Sequence, residues 1–522
     1  MATRRDFLYT IVLGSGAVFL APVTGCVSDE EIDTGRRPVR VGDPLVPKLR
    51  SPQFAVAHAY LRDRTPLPAP SQTAVHDVVV IGGGVSGLAA ATLLQMEGVD
   101  VVTIDSEPRL GGAAVSGRIA DQDVPLGSVY FVDPTDDIQM LMRVAGIEAV
   151  QCPDDAFILE GGMRVRNVWS DETLGLIIKD VKERDQMKRF RDMLAAMDAD
   201  LPSYPLATEL SPEMRQLDAM SARGYLDRYR SPMLNTIVNA YSRSSMGAPS
   251  TQTNAYCFLN FYQSELGDAF GYPRYSFPGG TAKLTGGLAS SLAHVRTNEV
   301  VARVRETATD VEVDSVLADG TVVRTRARYA IVAVPKFQLP AILDEIDPAR
   351  TKAIASLTYA PYATIQVVSD RPIVHGGSYD TWDMRTQDAY TDIIDPTTIT
   401  PGTRTHVVSL YVPMDPSERS LLLNDDRFAT RVMETVERFR STLDPHEQDA
   451  IREVHAWGWG HGVVVPTPGS HNGPAQRAAA PTARIRFAGT DNDAAPAIEN
   501  AVANGTAAAR SLLAAFAGKT GR

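Results

Sequence analysis

From His76 the chain runs His-Asp-Val-Val-Val-Ile, a short β-branched apolar run that stops at Gly82. An apolar run of this length bounded by glycine predicts a buried strand, of the kind that sits inside a parallel sheet. Leu88-Ala89-Ala90-Ala91 then opens a helix, and Val99-Asp100-Val101-Val102-Thr103-Ile104 predicts a second strand. Alternating segments from Val295 to Val334 predict further strands, Glu183 to Met197 a charged amphipathic helix, and the Ala-rich stretch from Ile498 a terminal helix. Strand, helix and strand in succession indicate an α/β fold. No internal repeat is evident.

Another apolar stretch lies at the start of the chain, through about Val23, behind Thr3-Arg4-Arg5-Asp6-Phe7-Leu8. Two arginines before a Gly-containing apolar run resemble a bacterial twin-arginine export signal. The run ends in Val23-Thr24-Gly25-Cys26, which resembles a lipobox with Cys26 as the lipidated residue; the alternative is an incidental cysteine and an uncleaved anchor. Both readings put the protein outside the cytoplasm, periplasmic or extracytoplasmic, with the export machinery and the membrane as partners through its N-terminus. No other apolar run reaches the ~20 residues needed to cross a bilayer. Residues 27–74, rich in Pro, Arg and Asp, read as a tether.

Length and composition narrow the remainder. At 522 residues the chain exceeds what one core usually serves, so two packed domains are expected. Its 44% hydrophobic and 22% charged residues are those of a globular protein, and a net charge of -12 disfavours a general nucleic-acid binder. The cysteines are Cys26, Cys152 and Cys257, with no CxxC pair and no Cys/His cluster spaced for a metal, so no metal site is expected. Cys152 and Cys257 are left open between a disulfide and two buried thiols.

Chemistry begins at Gly82-Gly83-Gly84-Val85-Ser86-Gly87. Gly82 permits a tight turn, Gly84 lets backbone approach a pyrophosphate, and Gly87 lets the helix pack on the sheet. The helix start, with Val85 and Ser86, presents unpaired N–H groups to phosphate. Asp105, closing the second strand, stands where a carboxylate accepts hydrogen bonds from ribose hydroxyls. Strand, glycines, helix, strand and acid in this order predict a dinucleotide site.

The residues after this acid select the dinucleotide. Asp105-Ser106-Glu107-Pro108-Arg109-Leu110-Gly111-Gly112 resembles the extended motif of FAD-binding flavoproteins, in which Ser106, Arg109, Gly111 and Gly112 would lie along the FAD diphosphate and ribityl chain. Ala113 replaces the arginine usual after the second glycine. Leu126-Gly127-Ser128, Phe277-Pro278-Gly279-Gly280 and Ala333-Val334-Pro335 extend the resemblance, as does Arg486-Phe487-Ala488-Gly489-Thr490-Asp491 with the stretch from Ile498 to Gly505. Together they resemble the flavin-containing amine oxidase superfamily, the monoamine oxidases, protoporphyrinogen oxidases and phytoene desaturases, from Val75 to about Leu513. The resemblance implies a Rossmann-like, discontinuous FAD domain (75–135, 275–340 and 480–518) and an α+β substrate domain (136–274 and 341–479). It places Gly127 near the flavin, Val301 on adenine, and Gly489, Thr490 and Asp491 near ribityl and phosphate. The helix carrying Ile498 and Ala501 would point its positive end at the flavin. No cysteine stands near the closing motif, so FAD is expected to be non-covalent.

Substrate residues are less marked. The family's aromatic before Ile498 is Ala497 here, which leaves an aromatic cage incomplete. Trp457, Trp459 and His461, interleaved with glycines, are either cavity lining or a strand with core tryptophans and a surface histidine. Tyr256, Phe258, Phe261 and Tyr262 have a spacing that suits a helix core or a pocket, with core preferred. Lys336 follows Val334-Pro335, short of where the family's flavin-facing lysine falls, and is otherwise a solvated lysine. The implied reaction is hydride removal from a substrate C–H bond to flavin N5, with reoxidation by oxygen or a quinone. Its substrate would be a secondary or polyamine-like amine, or a hydrophobic isoprenoid or porphyrinogen-like molecule; a non-catalytic flavin scaffold is the third reading.

Overall fold

The computed structural model describes residues 11–14, 17–20, 40–41, 52–132, 134–197, 205–265 and 274–520. Arg4, Arg5 and Cys26, which carry the export and lipidation readings, lie outside the described residues. Among the described residues no helix is long and apolar enough to cross a membrane.

One sheet assembles from three separated stretches of chain. β1 (Gln72–Ile81) leads into α1 (Val85–Met96) and β2 (Val101–Ile104); β3 (His294–Arg296), β4 (Val300–Glu306), β5 (Val311–Val316) and β6 (Val322–Val332) come from the middle. The spatial order is β3-β2-β1-β6-β5-β4, parallel from β3 to β6 and antiparallel beyond. Val78 to Ile81 are at most 2% exposed because both faces of the sheet are covered. Burying each such side chain contributes about 1.5–3 kcal/mol.

A second sheet is built mainly from β7 (Thr358–Ser369), β8 (Asp380–Asp383), β9 (Asp392–Ile394), β10 (His406–Pro413) and β11 (Ile451–Val465), ordered β11-β7-β10-β9-β8. Strands Ala156–Ile158 and Arg164–Arg166 extend it beyond β8, and the short strands Ala17–Leu20, itself paired with Ile11–Gly14, and Arg40–Val41 join at β11. Helices between residues 171 and 265 cover one end. Their core holds Tyr256, Phe258, Phe261 and Tyr262 beside Trp169 and Phe190, so these aromatics are packing residues. The chain then returns to the first sheet through β12 (Ile485–Phe487), parallel to β6, and α2 (Ile498–Thr520).

Gly505 is what lets α2 lie against α1. A Cβ there would sit 2.2 Å from the Ser86 carbonyl oxygen.

One expectation needs adjustment, and of the two readings left open for the cysteines the structure has the buried thiols. Residues 52–62 are helical rather than loose tether, and Val56, Tyr60 and Leu67 pack on Ala302, Val316 and Val322. Arg64 donates to the carbonyl oxygens of Ala341 (2.7 Å) and Pro340 (2.9 Å), fastening this segment beside the first sheet. Cys152 and Cys257 lie in different hydrophobic clusters and do not bond to each other; burial pushes the Cys152 thiol up to about 12.

Candidate active site and cofactor cradle

Gly82, Asp105, Ala333 and Ala488 come directly after β1, β2, β6 and β12, so the carboxyl ends of four parallel strands converge. Ligands of open α/β sheets bind at that edge. Gly82 turns there with φ +97°, and a Cβ on Gly87 would meet the Gly82 carbonyl oxygen at 1.9 Å, which explains why the turn and first helical coil need glycine. Gly84 caps α1 without a side chain, and its Cβ position meets only Gly112 Cα, at 3.7 Å. The N–H groups of Val85, Ser86 and Gly87 have no partner within α1 by helix geometry.

The second glycine pair closes against the first. Gly111 N–H donates to the Gly83 carbonyl (2.8 Å), and Gly112, with φ +58°, passes so close that a Cβ on it would be 2.9 Å from Gly84 Cα. Arg109 is exposed beside this turn, with the Glu107 carboxylate as its charged neighbour. Open space before Gly84, uncapped N–H groups and an exposed guanidinium suit a diphosphate.

Asp105 accepts from the backbone N–H of Gly83 (2.6 Å) and Glu107 (2.8 Å), and burial pushes its carboxyl above the usual range. Each oxygen keeps room for a further donor such as a ribose hydroxyl. Ser106 is half-buried beside it. The turn before β4 is tied to the same loop, Glu299 N–H to the Asp105 carbonyl and Asn298 N–H to that of Glu107, which delivers Val301 to this end of the site. Ser86 behaves differently: it is buried and its hydroxyl donates to the Ala501 carbonyl (2.6 Å), locking α1 to α2. Ile498 and Ala501 are buried in the first turn of α2, where Glu499 accepts from Val132 N–H (2.6 Å).

Gly489 turns with φ +136° into Thr490 and Asp491. Asp491 is the centre of a buried cluster that sequence reading missed. It accepts from Lys336 Nζ, Lys336 N–H and the Tyr359 hydroxyl, each at 2.7 Å. Lys336 is 0% exposed, so the solvated reading fails: at this depth the ammonium is paired with a carboxylate instead of water. Tyr359 is held far above its ordinary pKa by burial first and Asp491 second. His461 stacks on Phe337 with ring centroids 4.1 Å apart, next to Tyr359. Burial, then the Arg419 guanidinium, pushes its imidazole down to about 4, so it is neutral at physiological pH.

The remaining candidates on β11 divide. Trp457 is buried among Val115, Ile119, Val124 and Leu126 and serves as core. Trp459 is half-buried against Gly127, and its Nε1 donates to the Leu126 carbonyl (2.7 Å). The Tyr411 hydroxyl donates to the Gly127 carbonyl (2.6 Å), and the Thr364 hydroxyl to that of Leu126 (3.3 Å). The segment expected to approach the flavin is thus gripped by the second sheet.

Tyr411 belongs to a cluster with Tyr362 and Tyr379. Close by, Asp392 raises the Tyr362 and Tyr411 hydroxyls further after burial has acted, and the acids Asp155 and Asp380 share one guanidinium. Arg274 Nη1 lies 2.5 Å from Asp155 and 3.3 Å from Asp380, with its plane over Tyr130. Its positive charge is also felt by Asp392. Burial pushes Asp155 up and Asp392 up to about 6. No motif announces this group; the available signal was an acid, Asp380, opening a buried strand.

Residues 85–513 match the family of flavin containing amine oxidoreductases. Nicotine dehydrogenase of Pseudomonas putida (strain DSM 28022 / S16) is 27% identical over 285 residues, 48% of this chain and 53% of its own length. The chain therefore spans about half the length of that relative. Wild-type putrescine oxidase bound to putrescine superposes with TM-score 0.68 at 18% identity, over 85% of this chain and 100% of that one. Cyclohexylamine oxidase from Brevibacterium oxydans IH-35A does so with TM-score 0.67 at 19% identity, over 84% and 99%. The family match, with the same fold over most of the chain, shows that this protein belongs to the flavin-containing amine oxidoreductases and is an FAD-dependent oxidoreductase.

Proposed function

We propose that the protein oxidises a cationic amine, secondary or polyamine-like, outside the cytoplasm. The observation that carries the substrate class is the gathering of three acids, Asp155, Asp380 and Asp392, near the Arg274 guanidinium and beside the Tyr362, Tyr379 and Tyr411 cluster. Acidic groups concentrated in this way favour binding a positive charge, and tyrosine faces add cation–π attraction. An isoprenoid would gain nothing from this end of the site.

FAD, when bound, supplies the electron-pair acceptor for cleavage of a substrate C–H bond, and the electrons leave to oxygen or a quinone. The chain's part is positioning. The N–H groups at the start of α1, with Arg109, would hold the diphosphate, Asp105 would take ribose hydroxyls and Val301 would flank adenine. Lys336 and Tyr359 fix Asp491, and hence the Gly489–Asp491 turn. Trp459 and Tyr411 orient Gly127 and close the space against water. The nicotine, putrescine and cyclohexylamine in the names of its relatives are all amines, which agrees with this class. Export by the twin-arginine route and a lipid anchor at Cys26 belong to the same reading, since that route carries proteins already folded around a cofactor.

Anaerobic bleaching of the flavin band tests it. A panel of polyamines, secondary amines and isoprenoids should bleach with the amines only. Bleaching by isoprenoids alone would reject the amine reading, and bleaching by none would leave a flavin-binding scaffold.

A further inference from the structure

At the opposite end of the first sheet from the cradle, three neighbouring strands bring together residues the redox chemistry does not use. His76 lies in β1, Asp100 just before β2, and His294 opens β3. His76 Nδ1 is 3.1 Å from both Asp100 oxygens, and His294 Nε2 is 3.5 Å from Asp100 Oδ1. One ligand atom from each residue lies within 4.8 Å of the others.

We propose that His76, Asp100 and His294 form a binding site for a borderline divalent transition metal, zinc being the reference case. Zinc bonds nitrogen and oxygen at about 2.0–2.1 Å in tetrahedral geometry, which sets neighbouring ligand atoms roughly 3.3 Å apart. The two contacts to Asp100 straddle that spacing, so modest closure of the imidazoles would complete three protein ligands with a fourth position open to water. Two imidazoles and one carboxylate select such a metal over magnesium or calcium, which prefer oxygen alone.

The scaffold is rigid. Asp100 is held by its own carbonyl, which accepts from Asp77 N–H and Val78 N–H at 3.0 Å each, and His294 sits in register with Val102. Side-chain exposure of 15% for His76, 46% for Asp100 and 52% for His294 leaves an entry path. Spacing along the chain hides the site, since His294 comes from a distant segment; the expectation of no metal site rested on that spacing alone. From His76 to Gly82 is six residues of strand, about 20 Å at 3.3 Å per residue, so the metal would tie β1, β2 and β3 together without touching the flavin.

The test uses the full FAD-loaded protein, without a polyhistidine tag and stripped by a chelator. Calorimetric titration should show one zinc per chain, and saturating zinc should raise Tm by about 3 °C. Magnesium should do neither. Cobalt(II) should give the visible absorption of a tetrahedral centre. His294→Ala, at an exposed position, and Asp100→Asn should each weaken zinc binding at least tenfold while leaving the flavin spectrum unchanged. Substoichiometric binding, an equal response to magnesium, or undiminished zinc binding by both variants would overturn the assignment.

Discussion

In the cofactor cradle the site is shaped by backbone: Gly111 N–H bonds the Gly83 carbonyl, Gly84 and Gly112 nearly touch, and Gly87 rests on the Gly82 carbonyl. In the half proposed to take the substrate it is shaped by side chains drawn from separate segments, residues 155, 274, 380 and 392. A backbone site is specified by which residues lack a Cβ and fails by collision. A side-chain site is specified by charge and burial, and fails by losing one interaction while the fold persists.

The largest effect should separate two glycines of the same turn. Gly87→Ala puts a methyl 1.9 Å from backbone that cannot yield, so soluble yellow protein should be lost altogether. Gly84→Ala meets nothing closer than 3.7 Å and should keep its apo Tm within about 2 °C while FAD affinity falls roughly tenfold, about 1.4 kcal/mol. Equal loss of folding in both variants would break the distinction.

Next comes the junction between the two halves. Asp491→Asn leaves the buried Lys336 ammonium without its counter-charge and should destabilise the protein by about 3–5 kcal/mol in chemical denaturation. Lys336→Met combined with Asp491→Asn should recover a large part of that.

Asp392→Asn should leave the protein folded and yellow but raise KM for a diamine roughly tenfold, with a smaller change in kcat. Because the Asp392 carboxyl is pushed up to about 6, amine binding in the wild type should strengthen as pH rises through about 6 and the group ionises. Without substrate the sign is reversed. A carboxyl raised on folding contributes stability that is present below its unfolded pKa of about 3.9 and lost as pH rises through about 6. Smallest should be Arg109→Gln, about fivefold in FAD affinity and shrinking with added salt, because the side chain is exposed.

This difference also governs what the amino-acid sequence discloses. Gly82, Gly84, Gly87, Asp105 and Gly489 are legible because each answers a local need of a turn or strand end, so their order along the chain carries the meaning. Asp491 is legible as part of the closing motif, but its cluster with Lys336 and Tyr359 is not, because the three meet only once β6, β7 and β12 are assembled, and a lysine after a proline reads as surface until its burial is seen. Trp457 and Trp459, two residues apart, divide into core and wall because packing behind each differs. The acids around Arg274 stand more than a hundred residues from it on either side and share no motif.

The grip on residues 126–127 bears on how anything enters. Trp459, Tyr411 and Thr364 all reach from the second sheet to these two carbonyls, while Asp491 and Tyr359 bond the halves again from the other side. A clamshell motion would have to break all of these bonds together. Traffic to the reaction centre should therefore pass through a passage opened by side-chain and loop movement, so that turnover is paced by a gate rather than a hinge.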